Sequence, residues 1–113
     1  MPPADQLLVH NVYFSLHDRS PQAKQRLIDA CRKWLPNHPG VVYFTCGALA
    51  EEYLDREVNV RDWDVGLHII FQDQAAHDHY QDAAAHHAFI AENKAAWKQV
   101  RVFDTVAGQS PTP

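Results

Sequence analysis

The side chains best suited to chemistry cluster in the stretch YQDAAAHHAF, residues 80–89, where Tyr80, His86, His87 and Phe89 stand out among Ala, Asp and Gln. An unperturbed imidazole titrates near neutral pH, so His86 could take a proton from a carbon beside a carbonyl. Tyr80 could then donate a hydrogen bond to the oxygen that becomes an enolate. His10 is a third candidate, because it interrupts an otherwise apolar alternating run and a polar group buried there needs a partner. The structural alternative is that His86 or Tyr80 bonds to His10, or to a backbone group, and only fastens a helix to a sheet. Adjacent helical residues diverge, so His87 is expected to face solvent.

Metal chemistry needs three or four ligands in suitable geometry. His77 and His79 are two positions apart and point to different sides of a helix. Asp82 and His86 share a face only if the helix between them is continuous. No ligand set can be assembled from these spacings, and the expectation is no metal. Cys31 and Cys46 lie in unrelated contexts without a CxxC or an evident basic neighbour, and are read as reduced, buried thiols. There is no Gly-rich phosphate loop and no Ser-His-Asp order.

The elements that must position these residues follow from periodicity. Residues 7–17 alternate as a strand, with Leu8, His10, Val12, Phe14 and Leu16 on one face and Val9, Asn11, Tyr13, Ser15 and His17 on the other. Ser20 followed by Pro21 starts a helix, along which Ala23, Leu27, Ala30, Cys31, Trp34 and Leu35 recur at helical spacing until Pro36. Residues 41–48 form a second strand with Val42, Phe44 and Cys46 on one face, and Gly47 as a possible bulge. Residues 49–62 are a polar connection. Residues 63–72 form the strongest strand, with Val65, Leu67, Ile69 and Phe71 opposite Asp64, Gly66, His68 and Ile70. Asp73 caps a helix over residues 74–84, and a second helix, or a bent continuation, covers 85–97. Residues 99–106 close the domain as a strand in which Val100, Val102, Asp104 and Val106 alternate with Arg101, Phe103 and Thr105. Residues 1–6 and 107–113 read as a disordered lead-in and a tail.

The order β-α-β-β-α-α-β predicts an α+β domain, a four-stranded antiparallel sheet with helices on one face. The opposite sheet face then carries Tyr13, Tyr43, Ile70 and Phe103 without a cover, and self-association into a homodimer is the simplest remedy. The 113 residues suffice for one domain. Hydrophobic content of 46%, charged content of 21% and a net charge of −4 fit a water-soluble protein and argue against nucleic acid or an anionic membrane as partner. With no secretory signal pattern at the N-terminus, the expected location is cytoplasmic.

Three local patterns, in this order and spacing, resemble the stress-responsive A/B barrel domain (Dabb) family. They are HNVYFSL from His10; HPGVVYFTCG from His38; and WDVGLHIIFQD from Trp63 followed by YQDAAAHHAF from Tyr80. Ala83 and Ala84 stand where the family often has His-Pro, which suggests a smoother junction between the last two helices. The resemblance implies a ferredoxin-like fold, a dimeric α+β barrel and a cleft between sheet and helices. It also implies, for some members such as plant polyketide cyclases, a cofactor-free enzyme whose histidine and tyrosine map onto His86 and Tyr80, with His10 lining the same cleft. The cleft wall would include Val12, Phe14, Leu67, Ile69 and Phe89 and would take a small apolar or aromatic molecule. A cofactor-independent oxygenase, by analogy of fold, and a purely structural dimer are the other readings.

Overall fold

The computed structural model describes residues 6–53 and 55–108. The first strand, β1, spans Gln6–Leu16, so Gln6 belongs to the sheet, while the rest of the expected lead-in lies outside the described residues. Its burial alternates as the sequence requires: Leu8, His10, Val12 and Phe14 are buried, and the residues between them are partly exposed. Helix α1 (Pro21–Trp34) starts where Ser20 accepts a hydrogen bond from the Ala23 N–H at 3.2 Å, and Pro21 occupies its first turn. Its apolar stripe, including Leu27, Ile28 and Cys31, packs into the core.

Strand β2 spans Val41–Ala48 and β3 spans Val65–Phe71, separated by a connection with one short 3₁₀ turn at Glu51–Tyr53. Helix α2 (Gln74–Asp82) is capped by Asp73, which accepts from the Ala76 N–H at 2.8 Å. Helix α3 (Ala84–Asn93) follows, then a 3₁₀ turn (Lys94–Ala96) and β4 (Trp97–Gly108). Trp97 therefore opens the last strand instead of ending a helix, and β4 takes in Ala107 and Gly108 from the expected tail, whose remainder lies outside the described residues.

The strands form one four-stranded sheet in the order β2-β3-β1-β4, every neighbouring pair antiparallel. This is the expected ferredoxin-like α+β arrangement. The central register sets His10 opposite Ile69 on one side and opposite Asp104 on the other. The core lies between the sheet and the helices, where Phe14, Leu35, Leu67, Ile69 and Phe71 are fully buried. Each such side chain stabilises the fold by about 1.5–3 kcal/mol relative to exposure.

Several local expectations are corrected. The register of β2 slips between Val41 and Tyr43, so Val41 pairs with Phe71 and packs on the core while Val42 is exposed. The bulge thus sits at Val42, and Gly47 pairs regularly with Gly66. Asp64 does not face outward with His68. It is buried, where it accepts from the Leu16 N–H (2.8 Å) and from Arg19 Nε (2.9 Å) and ties β1 to the start of β3. Ser15, expected on the outer face, is also buried and donates to the Asp62 carbonyl at 2.8 Å.

The junction between α2 and α3 is sharp despite the missing proline. Ala83 adopts an extended conformation (φ −66°, ψ 143°) and ends one helix while starting the next. Asp82 and His86 therefore share no continuous helix face. On the sheet face away from the helices, Tyr43 and Phe103 are exposed, and Tyr13 stacks edge-on against Trp63 and Phe103.

Candidate functional site

A cavity of about 500 Å³ lies between the sheet and the α2–α3 pair. Val12 and Phe14 of β1, Leu67 of β3, Phe89 of α3 and Trp97 of β4 supply its apolar wall. Ile69 is not part of it: β3 is an inner strand, and at this position the side chain is fully buried in the core between the partners His10 and Phe44. The cavity's inner-face wall on β4 is built from Val100 and Val102, which no helix covers, so it opens along the sheet edge.

The polar end draws on four elements. β1 contributes His10, α2 contributes His77, Tyr80 and Gln81, and β4 contributes Asp104; His86 reaches in from the first turn of α3. Tyr80 sits at the centre, with its ring 4.7 Å from that of His86 and 6.0 Å from that of His10, centre to centre. Tyr80 and His86 are thus neighbours, as the spacing suggested, and His87 is exposed. His10, however, pairs with neither. Its Nδ1 lies 2.6 Å from Asp104 Oδ1, the residue directly opposite in the register.

Burial sets the protonation of this end. It lowers the pKa of His86 from the ordinary 6.5, helped by the charges of His87, His10 and His38, so the imidazole is neutral at pH 7. Burial also raises Tyr80 well above its ordinary value, with Cys31 adding to it, and keeps the hydroxyl protonated as a donor. His77 is held down by burial and then by His10, against the opposing pull of Asp104 and Asp78. His86 Nδ1 and Trp97 Nε1, on residues that line the cavity, are themselves buried and have no hydrogen-bond partner among the described residues. Buried polar groups are nearly always paired, with protein or with ordered water, so both atoms stand as exceptions.

At this end the sequence does not single out His77, Gln81 or Asp104, whose approach to His10 and Tyr80 depends on helix phase and strand register, and in the apolar wall it does not single out Trp97, whose spacing reads as helical. His10, His77 and Asp104 each offer a ligating atom within 4.8 Å of the others. Away from the cavity, Cys31 and Cys46 are both buried and free. The hydrogen bond to Cys46, with burial, holds the Cys31 thiol protonated. Cys46 does have a cationic neighbour, Arg32, which adds to the lowering effect of Cys31.

The strand order and the helix-covered cavity define the class: a ferredoxin-like α+β domain with a ligand-sized cleft between its layers. Residues 8–107 match the model of the Stress Responsive A/B Barrel Domain, Dabb, and the chain belongs to that family. No curated protein sequence matches it significantly. Among solved structures, a Dabb family protein with a ferredoxin-like fold from Mesorhizobium loti is 25% identical with a TM-score of 0.72, covering 90% of this chain and 97% of that one. A dimeric ferredoxin-like protein of unknown function from Thermobifida fusca is 17% identical (TM-score 0.72; 90% and 92% covered). The hydroxynitrile lyase of Passiflora edulis is 11% identical (TM-score 0.75; 96% and 99% covered). The last two likenesses establish the fold alone. None of the described helices is long and apolar enough to cross a membrane.

Proposed function

We propose that this chain is a cytoplasmic homodimer that binds a small apolar or aromatic carbonyl compound in the sheet-helix cleft and moves a proton on it without a cofactor, as in a lyase or cyclase reaction. The observation that carries the reading is a mostly apolar cavity whose one polar end brings Tyr80 and His86 together, their rings 4.7 Å apart. Its volume of about 500 Å³ falls within the range of small-molecule sites, and its polar groups gather at one end. There the neutral His86 is the base and Tyr80, protonated, steadies the oxygen that gains charge. The exposed aromatic sheet face and the dimeric state of the Thermobifida fusca relative support the homodimer reading.

Acetophenone in D₂O is a direct probe, because enolisation replaces its methyl protons with deuterium in a way NMR can follow. The expected result is exchange above the rate given by free imidazole at equal concentration, lowered about 100-fold or more by His86→Ala and by Tyr80→Phe. Saturable binding with no excess exchange would remove the proton-transfer step and leave a binding protein. Neither binding nor exchange across a series of aromatic ketones would end the proposal.

A further inference from the structure

We infer that His10, His77 and Asp104 form a binding site for a divalent transition-metal ion at the polar end of the cavity. The inference shares the cavity with the acid–base reading but does not depend on His86 or Tyr80.

On the helix-facing side of the sheet, β1 carries Leu8, His10, Val12, Phe14 and Leu16, and the matching positions of β4 carry Val106, Asp104, Val102 and Val100. Each strand thus has one polar interruption, and the register sets the two opposite each other, with His10 Nδ1 2.6 Å from Asp104 Oδ1. That pairing satisfies His10, whereas the partners of His77 are Gln81, 3.1 Å from its Nε2, and the exposed Asp78 carboxylate, 3.8 Å from its Nδ1. His77 comes from a different element, with its side chain only 14% exposed, and it turns toward the sheet with its ring 4.8 Å from that of His10. Two imidazoles beside a carboxylate are a favourable ligand set for a transition-metal ion.

The donor set names the ion class. Two histidines and one carboxylate suit zinc, cobalt, ferrous iron or nickel, and are poorly matched to calcium or magnesium, which prefer oxygen. Bonds of about 2.0–2.1 Å in a tetrahedral site place ligand atoms roughly 3.3 Å apart. The three candidate atoms lie within 4.8 Å of one another, and His10 Nδ1 and Asp104 Oδ1 are 2.6 Å apart, so side-chain rotations have to adjust these separations to form the site. Asp104, 40% exposed, has room to make them, while His10, 4% exposed, is the fixed point. Gln81 Nε2 lies 3.1 Å from His77 Nε2, so ligation through that nitrogen would displace Gln81. Three protein ligands leave further coordination positions for water or a bound molecule in the cavity.

The test is titration of the full chain with Co²⁺ and Zn²⁺ after chelator treatment. Visible absorption reports the cobalt geometry, and calorimetry reports zinc stoichiometry. One ion per chain is expected, with His77→Ala and Asp104→Ala each weakening binding at least about 10-fold, and with His86→Ala unchanged. Circular dichroism of each variant separates lost ligation from lost folding, and His77→Gln, closer in size, repeats the test if His77→Ala unfolds. Absence of cobalt bands, or zinc binding that survives His77→Ala through exposed histidines such as His17 or His79, would overturn the assignment. The two readings fail separately: His86→Ala abolishes ketone exchange and spares the metal, whereas His77→Ala loses the metal whether or not exchange occurs.

Discussion

Replacing Gly40 by alanine tests how α2, and with it the polar end of the cavity, is held in place. Gly40 has φ +85°, where an L side chain is strained by about 1–2 kcal/mol. Its carbonyl accepts from the Gln72 N–H at 2.8 Å, which sets the β2 turn against the end of β3. A Cβ added at Gly40 would approach the Ala76 Cβ more closely than the 3.0 Å that such atoms keep, and would press on Gln72. Ala76 lies in the first turns of α2, one residue before His77. Relieving that overlap means shifting the helix, at about 1–3 kcal/mol for overpacking. Gly40→Ala should therefore destabilise the domain by about 2–5 kcal/mol. Ala76→Gly alone should cost about 1 kcal/mol as a helix-interior glycine. In the double variant the clash disappears and only the backbone strain and the glycine cost remain. Urea unfolding of all four proteins should then give a coupling energy of about 1 kcal/mol or more, in the sense that the double variant is more stable than the summed losses predict. Additive losses would refute the steric argument, and a Gly40→Ala loss under about 0.5 kcal/mol would refute the strain argument as well.

Asp64→Ala should cost about 2–4 kcal/mol by urea unfolding, because it strands the buried Leu16 N–H; Asp64→Asn, which keeps an acceptor, should cost less, and equal losses would mean that the Arg19 pair dominates. That pair should matter little, since Arg19 is 62% exposed and returns to water. Burial lowers the pKa of His68 below the ordinary 6.5, so the unfolded chain binds more protons in the interval between the two values. Its contribution to stability is thus complete above about pH 6.5 and declines as the pH falls below it, a decline that His68→Gln should reduce in denaturation curves at pH 7.5 and 5.5; an unchanged slope would assign the effect elsewhere. On the outer sheet face, Phe103→Asp should raise the dimer dissociation constant at least about 100-fold, since a buried unpaired charge costs several kcal/mol, and a sedimentation profile identical to that of the unaltered chain would move the interface to another surface.

The fold was legible wherever pattern and local chemistry agree. Alternation in β1 and β3, the Ser20 and Asp73 caps and the stripe on α1 all repeat within a few residues, so a single sequence shows them. Val42 and Ala83 were opaque for the opposite reason. A bulge is defined against a partner strand, and Ala83 lies in an alanine run whose propensity favours a continuous helix; packing of two helices on one twisted sheet overrides it. The same division holds in the cavity. Tyr80 and His86 are close in the chain and were expected together. Asp104 is 94 residues from His10, and only the β1–β4 register makes them neighbours. His77 diverges from His79 on its own helix, and its companions, His10 and Asp104, lie on the sheet beneath.

The alternation of β1 writes two messages on one strand. Its even positions, His10, Val12 and Phe14, belong to the cavity, and its odd positions, Asn11 and Tyr13, belong to the outer face, where Asn11 bonds to His68 at 2.7 Å. Substitutions can therefore edit either message without garbling the other, and the cavity and the outer surface are free to diversify independently among related chains. An inserted residue is a different event. It shifts the frame, sends the downstream cavity residues outward and brings the outer ones in, so that both surfaces are lost at one stroke.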